Sequence, residues 1–163
     1  MNRSGDTLQH TASNAEIVHS LAGNGVEFVL VGGLAVAWYC LERQADDMDL
    51  LLNPTSENSG RVSIALTAIG LRGFSADSFT RAGLQVPLKK YFYAELLTPR
   101  LEGPSYSEAL DGAEKANLFD TLVHVASPTV LIRMKQLALA SPEALRDKHV
   151  KDIECLRKHL PSA

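Results

Sequence analysis

Two aspartates separated by one residue are the groups in this sequence best suited to metal chemistry. Asp47 and Asp49 flank Met48 and lead into Leu50-Leu51-Leu52, a run that predicts a β-strand. Because side chains alternate between the faces of a strand, both carboxylates lie on one side, about 6.6 Å apart. Two like charges so close need a compensating cation, and oxygen ligands suit Mg²⁺ or Mn²⁺. The pair therefore predicts a divalent-metal site. On an exposed strand edge, the same pair would be solvated and free of metal.

A pair of glycines precedes the two aspartates. Gly32 and Gly33 follow the strand-like residues 26–31, and residues 34–43 have the composition of a helix. Glycines at such a turn let the backbone approach a ligand closely, and the start of the helix offers unpaired N–H groups that suit a phosphate. The turn is therefore a candidate phosphate site.

A third carboxylate is expected, because a two-metal site normally uses one more acidic group. Glu95 is the candidate, since it is a lone acid in the otherwise apolar end of the strand-like run 89–97. Pairing of Glu95 with Lys89 or Arg100 is the structural alternative. Asp120, in the next strand-like run, is the reserve candidate.

The elements that position these groups alternate along the chain. The predicted helices begin near Ser13, Leu34, Glu57, Ser127 and Ser141, and the predicted strands cover residues 26–31, 47–52, 89–97 and 118–125. Residues 70–83 and 98–112 are predicted loops. This order predicts an α/β fold with two helices closing the chain. We expect residues 1–12 to be a flexible lead and residues 13–163 to form a single domain, with a core at 26–125 and C-terminal helices at 127–160.

Composition excludes several classes of protein. The 163 residues are 45% hydrophobic and 21% charged, with a net charge of −3, which indicates one soluble globular domain rather than a disordered or fibrous chain. A net negative charge argues against binding nucleic acid through bulk charge. The polar N-terminus and the lack of a long apolar run predict a cytoplasmic protein. Cys40 and Cys155, far apart and outside any paired motif, are expected to be free thiols.

The segment from Gly32 to Asp49 carries a resemblance to a known family. A hydrophobic strand, Gly-Gly, thirteen residues and Asp-Met-Asp-Leu resembles the DNA polymerase β-like nucleotidyltransferase superfamily, especially its small bacterial minimal and toxin–antitoxin-associated members. Arg43, four residues before the first aspartate, matches an arginine common in those proteins, whereas Ala45 stands where threonine is frequent. Residues 95–99 and 126–135 are similar to the strand and helix that complete the family's site.

The resemblance implies a mixed central sheet flanked by helices and a Mg²⁺-dependent enzyme (or one using Mn²⁺) that transfers NMP from an NTP to a hydroxyl group. It implies that the catalytic, metal-binding carboxylates are Asp47, Asp49 and Glu95. It implies that the groups binding the nucleotide phosphates are Gly32, Gly33, Arg43 and Lys135.

The acceptor and the biological setting stay open at this stage. RNA (a tRNA, for example), a protein and a small molecule all offer hydroxyl groups, and the resemblance also points to a toxin–antitoxin or defence setting. The alternative is a non-catalytic module that keeps the fold and binds a partner protein. Ala45 and the choice between Glu95 and Asp120 keep that alternative open.

Overall fold

Eight strands and six α-helices make up the computed structural model, which describes residues 2–88, 91–140 and 146–161. The strands are β1 (Arg3–Ser4), β2 (Thr7–Leu8), β3 (Phe28–Val31), β4 (Met48–Leu52), β5 (Gln85–Pro87), β6 (Ala94–Leu97), β7 (Glu114–Leu118) and β8 (Thr121–Val125). The helices are α1 (Ala15–Gly23), α2 (Gly32–Tyr39), α3 (Ser56–Ala68), α4 (Tyr106–Leu110), α5 (Pro128–Ala138) and α6 (Arg146–Arg157).

All eight strands belong to one mixed sheet in the order β1-β2-β7-β8-β3-β4-β6-β5. β4 runs antiparallel to β3 and parallel to β6, and β3 runs parallel to β8. The α/β fold with a mixed central sheet is therefore confirmed. The central strand β3 is buried along its whole length, as its continuous Phe-Val-Leu-Val sequence requires.

Two groups of helices pack around this sheet. α1 packs against α3, whereas α2, α5 and α6 contact one another. α5 begins where the sequence predicts, because the Ser127 side chain accepts a hydrogen bond from the backbone N–H of Val130 and Pro128 occupies the first turn. The predicted start of the last helix, at Ser141, lies outside the described residues. Within the part of the chain that the structure describes, no helix is long and apolar enough to cross a membrane.

The N-terminal residues differ from the expected flexible lead. β1 and β2 form a short hairpin, and β2 pairs with β7 in parallel through Thr7 and Asn117. Leu8 is buried in the core. Polar composition suggested a lead, but one buried leucine and a few backbone hydrogen bonds attach this segment to the sheet.

The predicted strand at 118–125 is a hairpin instead. β7 ends at Leu118 and β8 begins at Thr121, and the turn residues Phe119 and Asp120 have φ values of 54° and 59°. Two consecutive left-handed residues are typical of a tight hairpin turn, and aspartate tolerates that conformation well. The apolar residues around the turn concealed it in the sequence.

Three further elements have other boundaries in the structure than the sequence predicts. The predicted strand at 89–97 contributes only Ala94–Leu97, with Lys89 and Lys90 outside the described residues, and β5 pairs with it. The helix predicted to end at Arg43 ends at Tyr39. The predicted loop 98–112 contains α4, whose N-terminus carries a reciprocal capping box between Ser105 and Glu108.

The expectation of free thiols is wrong in this structure, because Cys40 and Cys155 form a disulfide. Their Cα atoms lie 6.3 Å apart despite a separation of 115 residues. Cys40 follows α2 and Cys155 lies on α6, so the pairing arises from contact between these two helices. Local spacing in the sequence contains no information about such a contact.

Candidate active site

Asp49 and Glu95 lie side by side on neighbouring strands. In the parallel pairing of β4 with β6, Asp49 is the partner of Glu95. Partners in register on adjacent strands are about 4.8 Å apart and project from the same face of the sheet. The structure therefore brings together two of the predicted carboxylates, which are 46 residues apart in the sequence.

Asp47 completes the acidic cluster. It immediately precedes β4 and lies two residues before Asp49, and its charge acts on the Asp49 carboxyl group. Asp120 is not part of the cluster. It lies in the β7–β8 turn, at the start of β8, whereas Val125 at the other end of that strand pairs with β3 beside the cluster.

The pKa of Asp49 records the crowding of negative charge. Burial, followed by the charges of Glu95 and Asp47, raises the pKa of Asp49 to about 6, and the charges of Lys135 and Lys148 act in the opposite direction. Among the described residues, neither Asp49 nor Glu95 forms an ion pair. A cation bound between these carboxylates would relieve the repulsion.

Gly32 lets the start of α2 lie directly against Asp49. Its φ is +69°, and a Cβ atom there would lie 2.0 Å from Oδ2 of Asp49. Any side chain would therefore displace the carboxylate. Gly33 faces a different neighbour, because a Cβ atom at that position would lie 3.0 Å from Nη2 of Arg43.

The predicted cations Arg43 and Lys135 share one buried carboxylate, Asp152 on α6. Arg43 Nε lies 2.8 Å from Asp152 Oδ1, and Lys135 Nζ lies 3.1 Å from Asp152 Oδ2. Only 3% of the Asp152 side chain is exposed. Burial lowers the pKa of Lys135, while Asp152 acts to raise it. Sequence reasoning missed Asp152, because its position in a charged helix is typical of a solvated face.

An open cavity of about 440 Å³ adjoins the carboxylates. Its polar lining includes Gly32, Asp49, Glu95, Arg100, Lys135 and His149, and its apolar lining includes Leu84, Leu97, Met134 and Leu137. Lys135 thus faces the cavity, whereas Arg43 and Gly33 are not among its lining residues. His149 was not predicted. Its Nδ1 atom is buried without a hydrogen-bond partner among the described residues.

Asn14 fixes the strand that carries Glu95. Its buried side chain donates a hydrogen bond to the Tyr93 carbonyl (2.9 Å) and accepts one from the Tyr93 N–H (3.1 Å). The same carbonyl accepts the N–H of Met48, between the two aspartates, at 2.8 Å. Asn14 therefore helps to hold β4 and β6 in register. The sequence predicted that the first helix begins near Ser13. Asn14 occupies the cap position, but its side chain forms hydrogen bonds with the Tyr93 backbone and does not cap the helix.

Comparison with known proteins identifies the fold. No protein-family model matches this sequence, and no curated protein matches it. An antigenic nucleotidyltransferase-like protein from Paracoccidioides brasiliensis superimposes with a TM-score of 0.54 and 17% identity over 90% of this chain and 77% of that one. ANT(2'')-Ia in complex with adenylyl-2''-tobramycin gives a TM-score of 0.55 and 18% identity over 90% of this chain and 86% of that one. The chain has a nucleotidyltransferase fold.

A second structure of the same kind agrees with this nucleotidyltransferase fold. The solution structure of the antibiotic-resistance factor ANT(2'')-Ia has a TM-score of 0.55 and 18% identity over 91% of this chain and 83% of that one. The resemblance carried by Gly32 to Asp49 is thus confirmed at the level of the fold. Within this nucleotidyltransferase fold, Asp49, Glu95 and Gly32 line the cavity together, and Asp47 lies two residues before Asp49.

Proposed function

We propose that this protein is a divalent-metal-dependent nucleotidyltransferase that moves NMP from an NTP to a hydroxyl group of an acceptor. The observation that carries the proposal is the register of Asp49 with Glu95, beside Asp47 and Gly32, in a chain with a nucleotidyltransferase fold. Asp49 and Glu95, which crowd each other and form no ion pair within the described part of the chain, are suited to a metal bound together with a triphosphate.

Asp47, Asp49 and Glu95 fit a hard divalent cation, Mg²⁺ or Mn²⁺, because the donor set consists of carboxylate oxygens. The raised pKa of Asp49 supports this fit, since burial and the charges of Glu95 and Asp47 oppose its ionisation, and Asp49 forms no ion pair with the described residues. When bound, the metal supplies neutralisation of the triphosphate and activation of the acceptor hydroxyl.

The protein residues bind and orient the reactants. Lys135 faces the cavity and Asp152 holds it in place, so we assign it to the triphosphate as a point charge. The N–H groups at the start of α2, at Gly32, offer further phosphate contacts. Arg43 is paired with Asp152 outside the cavity lining, so we assign it to holding this carboxylate and the α2 turn. Direct binding of phosphate by Gly33 and Arg43 stays a prediction.

In the transfer, the acceptor oxygen forms a bond to the α-phosphorus while the bond to the bridging oxygen of pyrophosphate breaks. The hydroxyl proton passes to a carboxylate, for which Glu95 is our candidate. Pyrophosphate leaves with the electron pair. Nothing is oxidised or reduced in this step.

The acceptor we favour is a small molecule that bears hydroxyl groups. The cavity is modest in volume, and the chain has a net charge of −3, which disfavours a polyanionic acceptor. ANT(2'')-Ia, which shares the fold, has been solved with an adenylylated small molecule, tobramycin. A tRNA or another RNA, a protein, and a toxin–antitoxin setting are outcomes that the experiment distinguishes. Use of an NTP favours a cytoplasmic location.

The test is transfer of label from each of the four α-³²P-labelled NTPs, with Mg²⁺ or Mn²⁺, to separate small-molecule, RNA and protein fractions of a cell extract. The proposal predicts label in one fraction with the wild type and none with Glu95→Gln. Asp120→Asn is the matched control and should transfer like the wild type, because Asp120 lies in the remote β7–β8 turn. If no fraction receives label in a metal-dependent way, the result would favour the non-catalytic, partner-binding alternative.

A further inference from the structure

Three metal-ligating side chains meet on the side of α6 that faces the end of α2. Sγ of Cys40, Sγ of Cys155 and a ring nitrogen of His159 all lie within 4.8 Å of one another. Cys155 lies in the last turn of α6, and His159 lies two residues beyond the end of this helix, in a turn in which its backbone N–H donates a hydrogen bond to the Leu156 carbonyl. Neither the sequence motifs nor the proposed transfer reaction uses this cluster.

We propose that the dithiol form of the protein binds one thiophilic divalent cation, Zn²⁺, through Cys40, Cys155 and His159. Zn²⁺ takes thiolate sulfur and imidazole nitrogen in a tetrahedral arrangement, with bond lengths of about 2.3 Å to sulfur and about 2.0 Å to nitrogen. The three ligand atoms already lie within 4.8 Å of one another, so one ion can reach all of them once the S–S bond is reduced and the two sulfurs separate. His159 is exposed, so solvent supplies water for the fourth position.

The disulfide seen in the structure is the oxidised, metal-free form of the same cluster. A dithiol reductant transfers two electrons and two protons to the S–S bond, giving two thiols and the oxidised reductant. The two thiols then lose their protons as the thiolates bind the cation, and neutral His159 is the third ligand. No further oxidant is needed.

Two observations favour a metal site over a disulfide alone. A disulfide needs only the two cysteines, yet His159 lies within ligand distance of both, with its ring 5.8 Å from that of Tyr39. In addition, an NTP-dependent enzyme located in the cytoplasm would meet a thiol pool that keeps cysteines reduced. This second argument rests on the proposed function, whereas the geometry does not.

A bound cation would keep the connection that the disulfide provides. Cys40 follows α2, the helix that begins beside Asp49. Cys155 lies on α6, three residues after Asp152, the carboxylate that pairs with Arg43 and Lys135. Zn²⁺ would therefore fasten α6 to α2 when no disulfide can form.

The experiment titrates the intact chain, reduced with a phosphine and freed of metal, with Co²⁺ as a spectroscopic probe and with Zn²⁺ against a chromophoric chelator. We expect one equivalent of each, with the near-ultraviolet charge-transfer band of Co²⁺–thiolate bonds. His159→Ala should weaken Zn²⁺ binding about tenfold or more, because one of three protein ligands is lost. Cys155→Ser should lose the part of the Co²⁺ charge-transfer band that the Cys155 thiolate contributes. Zn²⁺ should also slow alkylation of the thiols.

His19→Ala is the matched control, since His19 is another exposed histidine, and the side-chain hydrogen bond that it forms among the described residues is with the Phe119 carbonyl, away from the cluster. Asp49→Asn should also bind Zn²⁺ like the wild type, which separates this site from the acidic cluster. His159 lies on the surface, so its replacement leaves the core intact and the variant interpretable. Absence of stoichiometric Zn²⁺ binding by the reduced protein, or equal affinity in His159→Ala, would overturn the proposal and leave a plain disulfide.

Discussion

Two regions of this protein contain buried or half-buried carboxylates, and they differ in the charges that surround them. Asp152 on α6 lies between the cations Arg43 and Lys135, with contacts of 2.8 and 3.1 Å. Asp49 and Glu95 lie beside each other on the sheet, and among the described residues neither forms an ion pair. Two cations of the protein neutralise Asp152, whereas burial and the charges of Glu95 and Asp47 oppose the ionisation of Asp49.

We interpret this difference as one between a structural role, for Asp152, and the proposed metal-binding role of Asp49 and Glu95. A buried ion pair that is complete is a part of the fold, and removing one partner leaves an uncompensated charge. A crowded, half-buried pair of acids costs stability in the protein alone and repays that cost when it holds a cation. Lys135 belongs to both regions, since it pairs with Asp152 and faces the cavity beside Asp49.

The largest effect should come from removing a carboxylate of the acidic cluster. With Asp49→Asn, we expect transfer activity to fall about 1,000-fold or more, since metal-ion stabilisation supplies several kcal/mol and each 1.36 kcal/mol is a factor of ten. The measurement is the rate of label transfer at saturating NTP and metal. The Asp120→Asn variant should retain full activity. Substantial activity in Asp49→Asn would show that Asp49 is not needed to bind the catalytic metal.

The next effect should come from the neutralised carboxylate. Asp152→Asn leaves the Arg43 and Lys135 charges without their shared partner, and breaking a buried pair typically costs about 3 kcal/mol. Urea unfolding monitored by circular dichroism measures the change. Asp147→Asn, at an exposed position on the same helix, is the control and should shift stability by less than about 0.5 kcal/mol. Equal effects of the two substitutions would show that Asp152 is not a structural anchor.

The two glycines of the turn offer a smaller and sharper contrast. Gly32→Ala places a Cβ atom 2.0 Å from the Asp49 carboxylate at a φ of +69°, so we expect a loss of about 2 kcal/mol together with weakened metal binding. At Gly33, an added Cβ atom would lie 3.0 Å from the far end of the Arg43 side chain and 3.6 Å from Cβ of Ala45, so we expect Gly33→Ala to cost about 1 kcal/mol or less. Calorimetric unfolding of both variants, with and without Mn²⁺, compares them. A larger cost at Gly33 would contradict the assigned geometry.

The smallest effect is a gain in stability, and it depends on pH. The folded pKa of Asp49, about 6, lies above its ordinary value of 3.8, so ionisation disfavours the fold and stability is lost as the pH rises from about 4 to 6. Asp49→Asn avoids this loss, and we expect the metal-free variant to be about 1 to 2 kcal/mol more stable than the wild type at pH 7. At pH 4 the two proteins should be nearly equal. Unfolding curves at both pH values test the direction of the change: Asp49→Asn should stabilise the protein, whereas Asp152→Asn should destabilise it.

Local patterns in the sequence predicted much of this site. The strand, the Gly-Gly turn and Asp-Met-Asp lie within 24 consecutive residues, 26 to 49, so their chemistry and spacing are visible without the fold. Glu95 was predicted because an acid in an apolar strand is unusual, and the structure places it beside Asp49. The contact between Asp152 and Arg43 spans 109 residues, and that between Asn14 and Tyr93 spans 79. Such contacts depend on how helices pack on the sheet, which periodicity and propensity do not encode.

Turn chemistry explains the remaining differences in the fold. The Phe119-Asp120 turn was hidden by apolar neighbours, and the capping box at Ser105 and Glu108 fell in a stretch rich in proline and glycine. Cys40 and Cys155 appeared isolated because only the contact of α2 with α6 brings them together. In the first two cases a few local contacts decided the structure against the average character of the segment, whereas the disulfide depends on a contact between distant parts of the chain.

The most direct test of the central claim is the thermal shift of the wild type and of Asp49→Asn with each of the four NTPs, with and without Mg²⁺ or Mn²⁺. A ligand present at 100 times its Kd stabilises a protein by about 2.7 kcal/mol, which is a shift of several degrees. The account predicts a metal-dependent shift for at least one NTP in the wild type and none in Asp49→Asn. An equal shift in both proteins, or no shift with any NTP, would contradict the assignment of Asp49 and Glu95 to a metal and nucleotide site.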